Sequence, residues 1–212
     1  MQDITRRKFV LTSAGLLAVY TVPTLSALRP LTPRQTPGPF YPKQPPLDND
    51  NNLVQVAGHG TSAQGEVTDL YGQVLDRNGH PLGGIRVEIW QCDNNGRYHH
   101  PNDRARRPLD PGFQGSGHTV TDSEGRYRFR TIHPVPYPGR TPHIHVAVFP
   151  EGSTPFVTQF YVAGEARNAD DFLYRAIPQE RRHLVTADFR SAEQSGVQWM
   201  AEKDIVLEVT PA

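Results

Sequence analysis

The sequence predicts an all-β protein, an antiparallel β-sandwich with long loops and one or two short helices. Short apolar or alternating segments recur along the chain, and turn signals such as Asn78-Gly79 separate them. An alternation of strands with long helices would indicate a parallel sheet, and the sequence does not have that pattern. The 20 prolines and 18 glycines are typical of strands joined by turns and loops.

Seven segments have the apolar or alternating pattern of strands, and two have the pattern of short helices. The clearest strand covers residues 126–132, where Tyr127 and Phe129 alternate with arginines and should face the core. The predicted strands are 70–75, 85–90, 118–121, 126–132, 143–149, 156–161 and 205–209, and the predicted helices are 169–176 and 179–187.

The chain divides into three predicted parts. Residues 1–27 have Arg6 and Arg7 ahead of an apolar stretch that ends in small residues, the pattern of a twin-arginine export signal. That stretch is too short to be a stable membrane span. Residues 28–66 form a proline-rich extended arm and linker, and residues 67–212 form the β-sandwich domain. We therefore expect an exported protein, periplasmic or extracellular.

Charge and cysteine content exclude several classes of partner. Lys+Arg and Asp+Glu each number 22, so no basic excess attracts nucleic acid or anionic lipid. Cys92 is the single cysteine, so no internal disulfide forms and stability must come from the core. Small molecules or protein subunits are the expected partners, including a possible homo- or hetero-oligomer.

His143 and His145 lie two residues apart at the start of an apolar run. On a strand, side chains at such positions leave the same face, so both imidazoles are able to bind one metal ion. A His-x-His pair also occurs in strands that bind no metal. The nearby phenol of Tyr137 and guanidinium of Arg140 favour the metal interpretation.

Short motifs follow one another across much of the chain. They include Leu70-x-Gly72-x-Val74, Gly96-Arg97-Tyr98, Asp110-Pro111-Gly112-Phe113, Gly125-Arg126-Tyr127, Pro136-Tyr137-Pro138, His143-Ile144-His145 and Gln159-Phe160-Tyr161. In this order they resemble the signature of the intradiol ring-cleavage dioxygenases, the protocatechuate and catechol dioxygenases. The earlier motifs are shared with non-catalytic β-sandwiches, and the two tyrosines with the His-x-His pair are the specific part.

The resemblance implies a catechol-cleaving enzyme that uses O2 and a non-haem Fe(3+) ion to form a cis,cis-muconate-type diacid. It implies that Tyr137 leaves the iron to take up a substrate proton, that Arg140 stabilises charge on the substrate ring, and that Gln159 lies beside it. Phe40 and Tyr41 of the arm are expected to wall the substrate pocket. The implied iron ligands are Tyr98, Tyr137, His143 and His145.

The chain departs from the protocatechuate enzymes between Tyr137 and His143, where only five residues intervene and Gly139 stands where a tryptophan is usual. A more open pocket is expected. The N-terminal helical region of the catechol and hydroxyquinol enzymes is missing, which places the chain nearer the protocatechuate branch. His99 and His100 adjoin the Tyr98 motif and are candidates for the pocket mouth.

Two other interpretations remain open from the sequence. One is an exported, non-catalytic binding module of the transthyretin-like or carboxypeptidase-regulatory kind, which shares the glycine-rich strand motifs but needs neither both tyrosines nor the His-x-His pair. The other is a zinc or copper hydrolase or oxidase. A tyrosine-rich set without carboxylate or cysteine is atypical of that class.

Overall fold

A computed structural model of the chain describes residues 27–44, 48, 50–194 and 196–208. The predicted export signal lies outside these residues apart from its last position. One four-residue α-helix and two 3₁₀-helices, Ala166–Ala169 and Gln179–Leu184, lie between the sixth and seventh strands. The strands and the helix are β1 (Val67–Asp76), β2 (Arg86–Trp90), β3 (Ser116–Val120), β4 (Arg126–Ile132), β5 (His143–Phe149), β6 (Phe156–Val162), α1 (Phe172–Arg175), β7 (Thr186–Gln194), β8 (Val197–Glu202) and β9 (Ile205–Leu207).

The strands form one nine-stranded sheet in the order β3-β2-β5-β6-β7-β8-β1-β4, with β9 paired to β1. The prediction of a β-rich fold with few helices is confirmed. The sheet is mixed rather than purely antiparallel, because β6 pairs with β7, and β1 with both β8 and β9, in parallel. The β6–β7 contact covers only two residue pairs and joins the two halves of the sheet.

The apolar core takes residues from both halves of this sheet. Leu70 and Phe129 come from the β1–β4 half, and Ile89, Val146 and Phe160 come from the β2–β5–β6 half, all of them fully buried. Tyr127 and Phe129 face this core as the alternation in β4 predicts. One continuous hydrophobic cluster therefore holds the two halves together.

Strands β7 and β8 were not predicted, and residues 186 and 187, assigned above to a helix, begin β7 instead. The predicted helices are present as shorter pieces, α1 and the segment Gln179–Leu184. β7 alternates exposed polar residues with few apolar ones, so its own sequence gives a weak strand pattern. Pairing with β6 and β8 places it in the sheet.

The proline-rich arm extends along the free side of β6. The Gln35 backbone N–H donates to the Val157 carbonyl, and the Thr158 hydroxyl donates to the Pro33 carbonyl. The arm is thus fixed on the domain, and it brings Phe40 against Tyr98 and Tyr41 against Trp90. None of the helices in the described residues has the length and apolarity required to cross a membrane.

Candidate metal and substrate site

Strand β5 is buried on both faces, and the two faces differ in chemistry. Ile144, Val146 and Val148 enter the apolar core, whereas His143 and His145 point the other way. The imidazole Nε2 atoms of the two histidines lie 3.2 Å apart. Two nitrogens bound about 2.1 Å from one ion at roughly right angles are separated by about 3 Å, so this spacing suits a shared ion.

The neighbours of the two histidines orient their rings. His143 Nδ1 lies 2.7 Å from the Thr141 carbonyl and donates to it as the neutral tautomer, which leaves the Nε2 lone pair free toward His145. The Trp90 ring stacks on His145 at 4.8 Å. Burial lowers the pKa of His143 to about 3 and that of His145 well below its usual range, so both imidazoles are neutral.

A tight turn places Tyr137 and Arg140 beside these rings. The Arg140 N–H donates to the Tyr137 carbonyl at 2.9 Å, and Gly139 between them has φ +82°. Proline at the second position and glycine with positive φ at the third are the features of a type II turn. The turn brings Arg140 Nη1 to 3.3 Å from the Tyr137 hydroxyl.

The loop after β2 positions Tyr98. Asp93 accepts hydrogen bonds from the backbone N–H groups of Asn95 and Arg97, and Asp103 accepts from the Tyr98 N–H at 2.7 Å. Gly96 has φ +71°, and a side chain there would meet the Pro136 carbonyl at 3.0 Å. The loop therefore packs against the segment between β4 and β5 that leads to Tyr137, and Tyr98 is buried.

The four predicted ligands converge in the structure. The Tyr98 ring lies 5.4 Å from Tyr137 and 6.2 Å from His145, and the Tyr137 ring lies 5.5 Å from His143. The Tyr98 hydroxyl and His145 Nδ1 are buried without a hydrogen-bond partner among the described residues. Burial raises the pKa of Tyr98 well above its usual value, so without a cation this phenol stays protonated.

Arg140 and Gln159 are placed together, as predicted. Gln159 lies opposite His145 in the β5–β6 register, and its side-chain oxygen accepts from Arg140 Nη2 at 2.6 Å. Gln159 Nε2 donates to the Thr36 carbonyl of the arm. The guanidinium thus bridges the Tyr137 hydroxyl and the Gln159 amide at the edge of the four-ring cluster.

The arm covers the cluster. Gly38 lies against His145, where an added Cβ would be 3.4 Å from the ring. The Phe40 ring stacks on Tyr98 at 4.7 Å, and the Tyr41 ring packs edge-on against Trp90 at 4.9 Å. The structure brings Phe40 to the predicted ligands, whereas Tyr41 packs on Trp90 and donates its hydroxyl to Glu88. Tyr41 is therefore one layer farther from the histidines.

A cavity of about 220 Å³ borders Tyr98, Phe40 and Trp90 and continues past His99 and Gln114. A 150 Å³ apolar cavity accommodates a benzene ring. This cavity therefore has room for one ring with small substituents, and of the predicted metal-binding and substrate-binding residues only Tyr98 and Phe40 line it. A larger groove of about 760 Å³ lies beside β1 and β4 and is lined by none of the predicted ligands.

The two adjoining histidines take different positions. The His100 ring is buried and packs edge-on against Phe40 at 5.8 Å, and His99 lies 4.0 Å from Asp93 and borders the cavity. Burial lowers the pKa of His99. Trp90 packs beneath the site against His145, and Cys92 is buried beside it.

Sequence reasoning did not identify Asp171. Its buried carboxylate accepts from Arg140 Nε at 2.8 Å and from the Thr141 N–H at 3.0 Å. An aspartate ahead of a short helix reads as an N-cap, a role that Asp171 also fills. No local signal in the sequence indicates the contact with Arg140, which is 31 residues away.

The donor set decides which metals fit. Among the residues that the structure describes, no three His, Cys, Asp or Glu side chains come together as a metal site. The two histidines therefore have phenol oxygens, not carboxylates or thiolates, as companion donors. Two imidazoles with two potential phenolates suit a hard, highly charged ion better than the Zn²⁺ of a hydrolase.

The mixed sheet carries a buried cluster of two histidines and two tyrosines, the residues predicted above as metal donors. The family model described as Dioxygenase matches residues 36–209. The protocatechuate 3,4-dioxygenase beta chain of Burkholderia cepacia is 39% identical over 76% of this chain and 72% of its own. The catechol 1,2-dioxygenase of Candida albicans is 32% identical over 80% of this chain, which spans 60% of that enzyme.

Solved structures of dioxygenases also superpose on this chain. The dioxygenase domain of a carbohydrate-binding fusion protein from Streptomyces sp. SirexAA-E superposes with a TM-score of 0.67 at 32% identity, over 85% of this chain and all of that domain. Catechol 1,2-dioxygenase from Acinetobacter sp. ADP1 superposes with a TM-score of 0.62 at 26% identity, over 82% and 62% of the two chains. The chain belongs to the intradiol ring-cleavage dioxygenase family, a family of oxidoreductases.

Proposed function

We propose that this chain uses a non-haem Fe(3+) ion and O2 to cleave the ring of a catechol-type diol, protocatechuate-like or catechol-like, to a cis,cis-muconate-type diacid. The observation that carries the proposal is the convergence of His143, His145, Tyr98 and Tyr137 beside the Arg140–Gln159 pair. The proposed scaffold is a β-sandwich in which the arm closes one side of the pocket.

The residues present fit iron(III). The Tyr98 hydroxyl is buried and unpaired within the protein, a state that costs about 1–3 kcal/mol and that a cation would relieve. With Tyr98 and Tyr137 as phenolates, one hydroxide completes a neutral assembly around Fe³⁺, which matters because uncompensated charge is costly in a buried pocket. The neutral histidines add no charge.

Bound iron(III) supplies a Lewis acid that draws electron density from the diol and makes its ring reactive toward O2. The chain supplies the proton acceptors and the polar environment. Tyr137, half-buried and within 3.3 Å of Arg140, is proposed to accept a substrate proton at its oxygen when it is present as the phenolate. Burial raises the pKa of Tyr137, and the nearby Arg140 guanidinium offsets only part of this cost of charging the phenol.

Arg140 is the proposed stabiliser of negative charge that develops on the substrate ring. Its side chain is only 8% exposed, so its charge is screened little by water. Gln159 accepts one of its N–H groups and donates to the arm, which holds the guanidinium at the pocket edge. Arg140 and Gln159 are therefore proposed as both catalytic and substrate-binding residues.

The aromatic walls favour a single flat ring as substrate. Phe40 stacks on Tyr98, and the adjoining cavity of about 220 Å³ admits one ring with small substituents. Phe40 is proposed to contact the substrate directly. Tyr41 is proposed to contribute by holding the arm, since its hydroxyl donates to Glu88 at 2.7 Å.

Export by a twin-arginine-type signal to the periplasm or beyond the cell remains part of the proposal. Assembly with other subunits does as well, because relatives of this chain include both the alpha and the beta chain of protocatechuate 3,4-dioxygenase. The non-catalytic binding module is the less favoured alternative. It gives no reason for four metal-donor rings to converge on one buried point.

The test is the visible spectrum of the iron-loaded full chain before and after anaerobic addition of catechol or protocatechuate. A tyrosinate-to-iron charge-transfer band is expected, and added diol should shift it. Tyr98→Phe should lose much of this band, and the matched control Tyr71→Phe, on β1, should keep it. A colourless wild-type protein that takes up no iron would overturn the proposal and support the binding module.

A further inference from the structure

The carboxylate of Asp171 connects two parts of the molecule that are distant in sequence. Its Oδ1 atom accepts from the backbone N–H groups of Leu173 and Tyr174 at the start of α1. Its Oδ2 atom accepts from Arg140 Nε at 2.8 Å and from the Thr141 N–H at 3.0 Å. All four donors are satisfied by one side chain that has no exposure to solvent.

The three nitrogens of the Arg140 guanidinium have three different partners. Nε donates to Asp171, Nη1 lies 3.3 Å from the Tyr137 hydroxyl, and Nη2 donates to Gln159. A planar group held at all three nitrogens has a fixed position and orientation. The exposed Phe172 ring, next in sequence to Asp171, lies 5.6 Å from the guanidinium carbon.

Asp171 provides the only carboxylate among these partners. The charge of Arg140 is nearly buried, and a buried cation without an anionic partner is costly. Burial alone favours the protonated acid, but the hydrogen bonds from Arg140 and from backbone N–H groups hold the pKa of Asp171 below its usual range. The pair is therefore ionised at neutral pH.

We propose that Asp171 is a positioning residue, which acts on turnover by holding the Arg140 guanidinium between the Tyr137 hydroxyl and the Gln159 amide. The orientation of Arg140 follows from its hydrogen bonds in the structure. The consequence for turnover rests on the proposed function. A residue that only capped α1 would stabilise the fold without a specific link to Arg140.

The two roles are separated by a double-mutant cycle. Asp171→Asn keeps the size of the side chain but loses the charge that faces Arg140. It should lower kcat/KM for the preferred diol by about 10- to 100-fold in the wild-type background and by less than about 3-fold in an Arg140→Met background. An equal loss in both backgrounds, or no loss in either, overturns the proposal.

Glu165→Ala is the matched control. Glu165 caps the neighbouring 3₁₀-helix by accepting from the Arg167 N–H at 3.0 Å, and its side-chain hydrogen bond and ion pair among the described residues are with Arg167 and not with the site. This substitution removes a helix cap from the same β6–β7 connection that contains Asp171, and it should leave kcat/KM within about 2-fold of wild type. If Glu165→Ala lowers kcat/KM as much as Asp171→Asn, the effect is structural and the proposal fails.

A second readout does not depend on activity. In the metal-free full chain, where the Asp171–Arg140 contact is already made, the Arg140 Nε–H should exchange slowly with solvent. Exchange should be faster by about tenfold or more in Asp171→Asn and unchanged in Glu165→Ala. If wild type cleaves no diol, the proposed function fails, and this measurement still decides the positioning: equal exchange in all three proteins overturns it.

Discussion

On one face of β5, Ile144 and Val146 pack into the apolar core, and on the other face His143 and His145 meet two phenols and a guanidinium. Both faces are buried to the same degree. Burial stabilises the first face, because apolar surface leaves water. On the second face, burial leaves the Tyr98 hydroxyl and His145 Nδ1 without protein partners, so the fold retains polar groups at a cost.

Strand β5 therefore contributes to stability with one face and to the candidate site with the other. Its alternation separates the two tasks residue by residue, so a change on one face has little reason to affect the other. The neighbouring strand β6 has the same two faces, since Phe160 faces the core and Gln159 faces the site. Substitutions on the two faces should therefore differ in both kind and size of effect.

The largest effect on stability is expected from Phe160→Ala in the core. Phe160 is fully buried in the cluster that joins both halves of the sheet, and its loss leaves a cavity there. We expect the free energy of unfolding to fall by about 3–5 kcal/mol, measured by urea denaturation. Phe172→Ala, at a side chain that is 64% exposed, should change it by less than about 0.5 kcal/mol.

An intermediate effect is expected from Gln35→Leu in the arm. Gln35 Oε1 accepts from the buried Gln159 N–H, and its Nε2 donates to the Tyr161 hydroxyl. Leucine leaves the Gln159 N–H unpaired and removes one of the two partners of the Tyr161 hydroxyl, which keeps its bond to the Gln159 side-chain oxygen, so unfolding should become easier by about 1–3 kcal/mol. Arg34→Leu, which removes an exposed bond to the Pro155 carbonyl, is the control and should have a smaller effect. Equal losses would show that the arm is held by its backbone alone.

A small effect on stability, with a complete effect on the metal, is expected from His145→Leu. In metal-free protein the change removes an unpaired buried nitrogen, so the free energy of unfolding should stay within about 1 kcal/mol of wild type. Iron uptake, measured by elemental analysis, should be lost. A stability loss as large as that of Phe160→Ala would break the distinction between the two faces.

The smallest effect is expected at the outer face of β1, where Asp69 pairs with Arg128 and Arg130. Burial raises the pKa of Asp69, but the hydrogen bonds from the two arginines outweigh it and hold the pKa below its usual range. This contribution to stability is present above the usual carboxyl pKa of about 3.9 and is lost as pH falls through the lower, folded-state value.

The difference in Tm between wild type and Asp69→Asn should accordingly shrink as pH is lowered below about 4. Asp188→Asn, in a pair whose partners are both largely exposed, is the control and should track wild type at every pH. A difference in Tm that stays constant through the acid range would show that Asp69 contributes through its shape and not its charge. In that case the charge of Asp69 would contribute little to stability, and the paired polar groups of β1 would differ less in their contribution to stability from the unpaired polar groups of the site.

Local patterns were sufficient for most of the strands. The alternation in β4 and the apolar run in β5 predicted these strands at their observed bounds, because the pattern along each strand reports the face that is buried. β7 and β8 escaped prediction because their place depends on pairing with β6 and β1, and their exposed polar residues carry little pattern.

The candidate site shows the same division. The His143-x-His145 spacing predicted one pair of candidate metal donors from local geometry, and the motifs around Tyr98 and Tyr137 predicted the other pair through their resemblance to a known family. The contact between Arg140 and Asp171 was not predictable, because it joins a turn before β5 to a helix start after β6. Nothing near either residue in the chain indicates the other.

The amino-acid sequence was sufficient for the β-rich class and for the two faces of β5, because these follow from side-chain chemistry and a two-residue period, whereas the four candidate metal donors were implied by the resemblance of its motifs to a known family. Only the tertiary structure decided that the sheet is mixed, that the arm covers His145, and that a carboxylate from the β6–β7 connection orients Arg140. Contacts between distant segments depend on how the whole chain packs, which no local pattern encodes.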